Sequence, residues 1–185
     1  DRRQRQMCIR DSVLVDNKSD KVEAANATTR LIDKEKVVAI IGPAISGNML
    51  AAGPICEEKK VPQLSATSTN PLVTQGKKYS FRATFIDSYQ GLAGAQYAYK
   101  DLGAKTAAIL SDIAQDYCVA LGNFFKDAYE KMGGKVLTVQ HCKTGDQDFS
   151  AQLTTILNLN PDVIYLPNYY AEIALICRPS RDIVS

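Results

Sequence analysis

The 185-residue chain is long enough for one large or two small domains, and 45% hydrophobic with 23% charged residues is an ordinary globular balance. Its formal charge of +2 sits wholly in residues 1–11, where Arg2, Arg3, Arg5 and Arg10 outnumber Asp1 and Asp11; the remainder is neutral and offers nothing to nucleic acid or an anionic membrane. No stretch approaches the roughly 18 apolar residues of a membrane helix, which excludes direct membrane insertion of this chain.

No signal segment is present, and residues 1–11 (DRRQRQMCIRD) lack any apolar period, so they are read as a non-native scar instead of a basic arm. Val13–Asp16 is predicted as a strand. Asp20 then caps a helix, with Glu23 completing a capping box and Val22, Ala25, Thr29 and Ile32 as the buried stripe. The β-branched run Val37–Ile41 predicts a buried strand broken by Gly42-Pro43. Ser46 stands at an N-cap position before a helix that ends in the charged run Glu57–Lys60. A short strand, Pro62–Ser65, leads into the hydroxyl-rich loop Ser65–Thr69, and Tyr79–Thr84 alternates like a half-buried strand.

A new helix begins at Asp87-Ser88 with Leu92, Ala95, Tyr99 and Leu102 on one face, stopped by Gly103. Thr106–Ser111 is an apolar strand. The helix Asp116–Met132 carries the strongest amphipathic signal, with Tyr117, Leu121, Phe124, Ala128 and Met132 in register. Val136–Cys142 is a strand, Phe149, Leu153 and Ile156 mark a helix, Val163–Leu166 is a strand, and Ala171 opens a last helix that Pro179 should break. Strand starts near 13, 37, 62, 79, 105, 135 and 163 recur at βαβ spacing, predicting parallel sheet wound with helices.

Two strand–loop–helix junctions, at Ser46 and at Thr67–Thr69, fit an anion. The first amides of a helix lack intrahelical partners, and its dipole places roughly half a positive charge there. The alternative is that Ser46 is only a cap and the threonines only a turn. Catalysis is poorly served. The only histidine, His141, lies in a predicted strand away from Ser46, Ala44 stands where a G-x-S-x-G elbow needs glycine, and no phosphate-loop pattern follows Gly42. Asp112, Asp116, Asp146 and Asp148 are too dispersed for a calcium loop. Cys8, Cys56, Cys118, Cys142 and Cys177 lack a C-x-x-C pair, which argues against zinc; their odd number argues against a full disulfide framework, and Cys56 is assigned to the core. The expectation is a non-enzyme with no cofactor and no metal.

GPAISGNMLAAGPICEEKKVPQLSATSTNP from Gly42, then YSFR from Tyr79, DSYQG from Asp87, DIAQDY from Asp112, GDQDFSAQL from Gly145 and NPDVIYLPNYYAE from Asn160 stand in one order. That ordered set resembles the periplasmic branched-chain amino acid-binding proteins, the substrate-binding components of ABC importers, from about Val13 to Ile176. The resemblance implies an α/β fold of two doubly wound parallel-sheet lobes of the type I periplasmic binding kind, both incomplete here: 12–87 for the first and 88–185 for the second. It implies that the Ser46 hydroxyl and amide, with Thr69, hold the ligand carboxylate, and that the Thr67 carbonyl and Thr69 hydroxyl meet the ammonium. Thr67 and Ser68 stand where the family often has alanine, since backbone does the work there. Tyr117 and Tyr169 would close from the second lobe, although Tyr117 also fits the core stripe and Tyr170 competes with Tyr169. An acidic partner for the ammonium and an aromatic pocket residue fall outside this chain, so weak binding of leucine, isoleucine or valine is expected.

The function implied is capture of an aliphatic or other small amino acid outside the cytoplasm, in the periplasm or as a cell-surface lipoprotein, by a monomer that docks on a membrane permease. The alternatives are a ligand-sensing domain of a receptor or amide-responsive regulator, and an enzyme of flavodoxin-like topology.

Overall fold

In a computed structural model that describes residues 12–184, with side chains to residue 178, the first helix starts where its cap demands. The Asp20 carboxylate accepts the amides of Val22 and Glu23 at 2.8 and 2.9 Å, opening α1 (Lys21–Asp33). Only half of the capping box forms. The Asp20 amide is taken by the Asn17 carbonyl at 3.0 Å, and Glu23 lies 3.7 Å from the Lys18 ammonium instead. The buried stripe is Ala24, Thr28 and Ile32; Val22, expected there, is 66% exposed. Ile32 meets Ile40 and Cys56 in the core of this first unit, which confirms Cys56 as a core thiol. The segment 1–11, with Cys8, lies outside the described residues.

The strand expected at Val13–Asp16 is absent, because that segment has no ladder partner among the described residues. The strand expected over Val37–Ile41 contracts to β1 (Ile40–Ile41). Its partner β2 (Gln63–Ser65) opens opposite Ile40, so Val37–Ala39 have no ladder partner among the described residues. Nor is β1 wholly buried: Ile41 is 86% exposed. Between them runs α2 (Ser46–Lys59), which stops as expected, at Lys60 in the left-handed region. A 3-10 turn, Pro71–Val73, precedes β3 (Ser80–Arg82), and the three strands pair in parallel in the order β1-β2-β3. The Glu57 carboxylate accepts the amides of Lys78 and Tyr79 at 2.9 and 2.6 Å, tying α2 to the start of β3.

Contacts divide the chain after Thr84, three residues before the boundary read from the sequence. The second unit starts with α3 (Asp87–Gln96), which runs into a π-helical turn at Tyr97–Asp101. Its buried face is Gly91, Ala95 and Ala98; Leu92 and Leu102, expected inside, are 40% and 56% exposed. Gly91 is there because a Cβ would stand 2.7 Å from Phe124 Cβ, so only glycine lets α3 close on the next helix. Then follow β4 (Thr106–Asp112), α4 (Asp116–Lys131), β5 (Lys135–Cys142), α5 (Ser150–Asn158), β6 (Val163–Tyr165) and α6 (Tyr170–Val184).

The second sheet is parallel, in the order β5-β4-β6. Along β4, Ala107 and Ile109 face one cluster with Phe125 and Tyr129, while Ala108 and Leu110 face another with Leu153, Ile156 and Ile176. Helices therefore cover both faces, the doubly wound arrangement expected. The stripe of α4 is offset by one residue, through Cys118, Leu121, Gly122, Phe125 and Tyr129, since Phe125 stacks on Tyr165 at 3.8 Å from β6. α6 passes through Pro179 without the expected break. A proline there removes one helical hydrogen bond but not the remaining turns.

Candidate functional site

In the first unit the site residues cluster at the carboxyl ends of β1 and β2. Ser46 is not the N-cap; Ile45 is, and it has no side-chain oxygen to offer. Ser46 is therefore the first residue of α2, 2% exposed, and the first intrahelical bond is that of Met49 to the Ile45 carbonyl at 3.0 Å. The amides of Ser46, Gly47 and Asn48 consequently have no backbone or capping partner among the described residues. The Ser46 hydroxyl accepts the Asn70 amide at a long 3.4 Å, which leaves its own proton available.

The loop after β2 is sewn to the loop after β1 by hydroxyls. Ser65 Oγ lies 2.8 Å from the Pro43 carbonyl and 2.7 Å from Ser68 Oγ, and Ser68 donates to the Ala44 carbonyl at 2.9 Å. Thr67 Oγ1 donates to the same carbonyl at 2.8 Å. The Thr67 and Ser68 side chains are thus engaged in holding the two loops together. Thr69 differs. It is 7% exposed, and its hydroxyl has no hydrogen bond among the described residues. Its position is set by Arg82, whose guanidinium donates to the Thr69 and Asn70 carbonyls at 3.1 and 2.9 Å and to the Pro71 carbonyl at 3.2 Å. Arg82 had no role in the sequence reading, because a strand arginine carries no local sign of the loop it will hold.

In the second unit, Tyr117 on the first turn of α4 stacks on Tyr169 at 5.5 Å and 28° between rings. Tyr117 stands beside the buried stripe of α4, half-buried, and not on it. Gln90 Nε2 donates to its phenol oxygen at 3.3 Å. Burial pushes both phenols above their ordinary range, so each is a neutral hydroxyl at any physiological pH. Tyr170, the competitor, is 87% exposed. Three βα loops are tied together beneath the ring pair. Asn168 Oδ1 accepts the Asp112 amide at 2.7 Å, while its Nδ2 donates to the Leu110 carbonyl at 2.8 Å. Asp112 in turn accepts the Ala114 amide at 2.7 Å and the Thr144 hydroxyl, and buried Glu172 accepts the Gly145 amide at 3.2 Å. Neither Asn168 nor Glu172 was singled out from sequence, although both fall in the quoted NPDVIYLPNYYAE segment.

Each unit therefore carries one candidate cluster of its own: spare donors in the first, a stacked aromatic pair on a braced loop cluster in the second. Spare amide and hydroxyl donors at a helix start suit an anion. Burial pushes the Cys118 thiol up to about 12 and Cys142 up to about 11, which keeps both protonated and inert. Among the described residues no helix is long and apolar enough to cross a membrane.

The family model described as periplasmic binding protein matches residues 11–181. A leucine-binding protein, LivK, from Thermotoga maritima is 53% identical with a TM-score of 0.91 over 94% of this chain and 49% of its own. The branched-chain amino acid transporter substrate-binding protein LivJ of Streptococcus pneumoniae, solved with isoleucine, is 36% identical with a TM-score of 0.85, covering 92% of this chain and 48% of its own. An amino acid binding protein of Pseudomonas aeruginosa is 27% identical over 171 residues, 92% of this chain and 46% of that relative. The chain spans about half the length of the relatives it matches.

Proposed function

Because the chain belongs to the periplasmic binding protein family, we propose that it is the ligand-gripping part of an extracytoplasmic solute-binding protein, which holds a small aliphatic amino acid between two lobes and delivers it to the membrane permease of an ABC importer. The observation that carries this reading is the set of spare donors at the start of α2: the amides of Ser46, Gly47 and Asn48 and the hydroxyls of Ser46 and Thr69. A carboxylate placed there accepts several hydrogen bonds at once and lies at the positive end of the helix. The Thr67 carbonyl and the Thr69 hydroxyl serve the ammonium group as acceptors. Ser68 contributes by fixing the loop, through its bond to the Ala44 carbonyl.

Tyr117 and Tyr169, stacked on one another, supply an apolar wall from the other lobe. Closure of two lobes about a hinge brings the halves together, and no bond in the ligand is made or broken. The leucine and isoleucine named for the two solved relatives support an aliphatic amino acid as the cargo.

Amide NMR of the 185-residue chain with leucine at millimolar concentration tests the reading. Saturable shifts at Ser46–Asn48 and Thr69, abolished when Ser46 and Thr69 are both changed to alanine, are expected. Shifts that persist unchanged in the double variant would sink it.

A further inference from the structure

The α4 face of the second sheet carries polar side chains that the candidate site does not use. Between α4 and the β4–β5 ladder lies a cavity of about 70 Å3, several times the roughly 10–15 Å3 one water needs. Its floor is apolar, from Ile109 and Val139; its walls are Ser111 and His141, from ladder-paired positions, and Asn123 and Lys126, one turn apart on α4. No acidic residue lines it. Ser111 is 4% exposed, with its Oγ 3.4 Å from His141 Nδ1. Among the described residues the Asn123 amide, the Lys126 ammonium and the second ring nitrogen of His141 have no hydrogen-bond or ion-pair partner.

We propose that this pocket binds a small oxyanion, carboxylate or phosphate in size, independently of the amino acid site. Serine, asparagine and lysine all donate, and histidine donates from at least one nitrogen in either tautomer. Because Ser111 and a neutral His141 spend one proton on their mutual contact, three donors at a time remain around a cavity with no carboxylate in its lining, an arrangement complementary to an acceptor-only ligand. Lys126, partly buried between the exposed Asn123 and His141, supplies the opposite charge. A nucleophilic reading of Ser111 is less favoured, because no carboxylate among the described residues contacts His141 to orient it as a base.

His141 is the only histidine in the chain, so its ring gives one unambiguous set of NMR signals. The experiment titrates inorganic phosphate, and separately acetate, into the chain at fixed pH, with ionic strength held constant by chloride. A saturable shift of the His141 ring with either anion is expected; which anion saturates assigns the tetrahedral or the planar class. Lys126→Met should weaken it about tenfold or more, the loss of one charge-assisted contact. Asn123→Leu, which keeps the helix and fills the pocket, should remove it. No response to either anion, a non-saturating drift, or a response that survives both variants overturns the site.

Discussion

Asn168 does for Asp112 what a neighbouring strand would do. Its amide oxygen accepts the Asp112 N–H at 2.7 Å, and its amide nitrogen donates to the carbonyl of Leu110 at 2.8 Å, completing the end of β4 where β6 has already stopped. The cost of an unmatched buried N–H or C=O is about 1–3 kcal/mol. Asn168→Ala strands one of each and should destabilise the chain by about 2–4 kcal/mol in urea unfolding. Asn168→Asp keeps the acceptor but sets a carboxylate against the Leu110 carbonyl, and should be no better than alanine.

Arg82 is expected to govern the first unit's donor cluster without touching ligand. Its fork spans the carbonyls of Thr69, Asn70 and Pro71, a geometry the lysine ammonium cannot copy. Arg82→Ala should cost about 1.5–3 kcal/mol of stability and also weaken leucine binding. Arg82→Lys should recover stability more than affinity. Equal recovery of both would remove the positioning role.

Two glycines in facing helices make opposite predictions. A Cβ at Gly91 meets Phe124 Cβ at 2.7 Å and the backbone of Phe124 and Phe125 at 2.8 Å. Gly91→Ala should therefore force α3 from α4 and cost about 1–3 kcal/mol. At Gly122 the nearest atom is Pro167 Cγ at 3.5 Å, ordinary contact. Gly122→Ala should be neutral or stabilising by up to about 1 kcal/mol through helix propensity, as thermal unfolding of the pair would reveal.

Acid should loosen each unit through carboxylates held in their charged form. Glu57 is held below the usual carboxylate range chiefly by the Lys78 amide, and Asp162 by the amides of Lys105 and Thr106. A carboxyl whose pKa is lower folded than unfolded stabilises above its ordinary value of about 4, and that contribution is lost as pH falls through the folded value. The urea midpoint should hold from neutral pH to about 5 and then fall. Asp162→Asn should lower the midpoint at neutral pH and flatten part of the acid fall. An unaltered pH profile would exclude Asp162 as a contributor.

Leucine binding should separate the loop hydroxyls by role. Thr67→Val removes the bond to the Ala44 carbonyl and should cost about 1 kcal/mol of stability while sparing affinity, since that hydroxyl is already engaged. Thr69→Val removes a hydroxyl with no protein partner and should do the reverse. Calorimetry and urea titration on the two variants would distinguish them.

The run of β-branched residues, the punctuation by Gly42-Pro43 and Gly133-Gly134, and the βαβ spacing were enough to place the helices and strands in order, apart from the strand expected at Val13–Asp16, and to imply parallel sheet wound with helices. These are local properties of backbone entropy and side-chain periodicity. The doubly wound arrangement came from the family resemblance, whose ordered segments likewise brought Ser46, Thr69, Tyr117 and Tyr169 forward as candidates. What periodicity could not resolve was which side of a helix a partner covers. The α4 stripe shifted by one residue because Tyr165, forty residues away, supplies the ring on which Phe125 stacks. Ser46 lost its capping role because Ile45 holds the extended cap backbone, and this is what leaves the Ser46 hydroxyl and three amides unspent. Asn168, Arg82 and the Ser111–His141 contact all join residues at least 8 positions apart. Such contacts depend on which chain segments the sheets bring side by side, so only the tertiary structure could decide them.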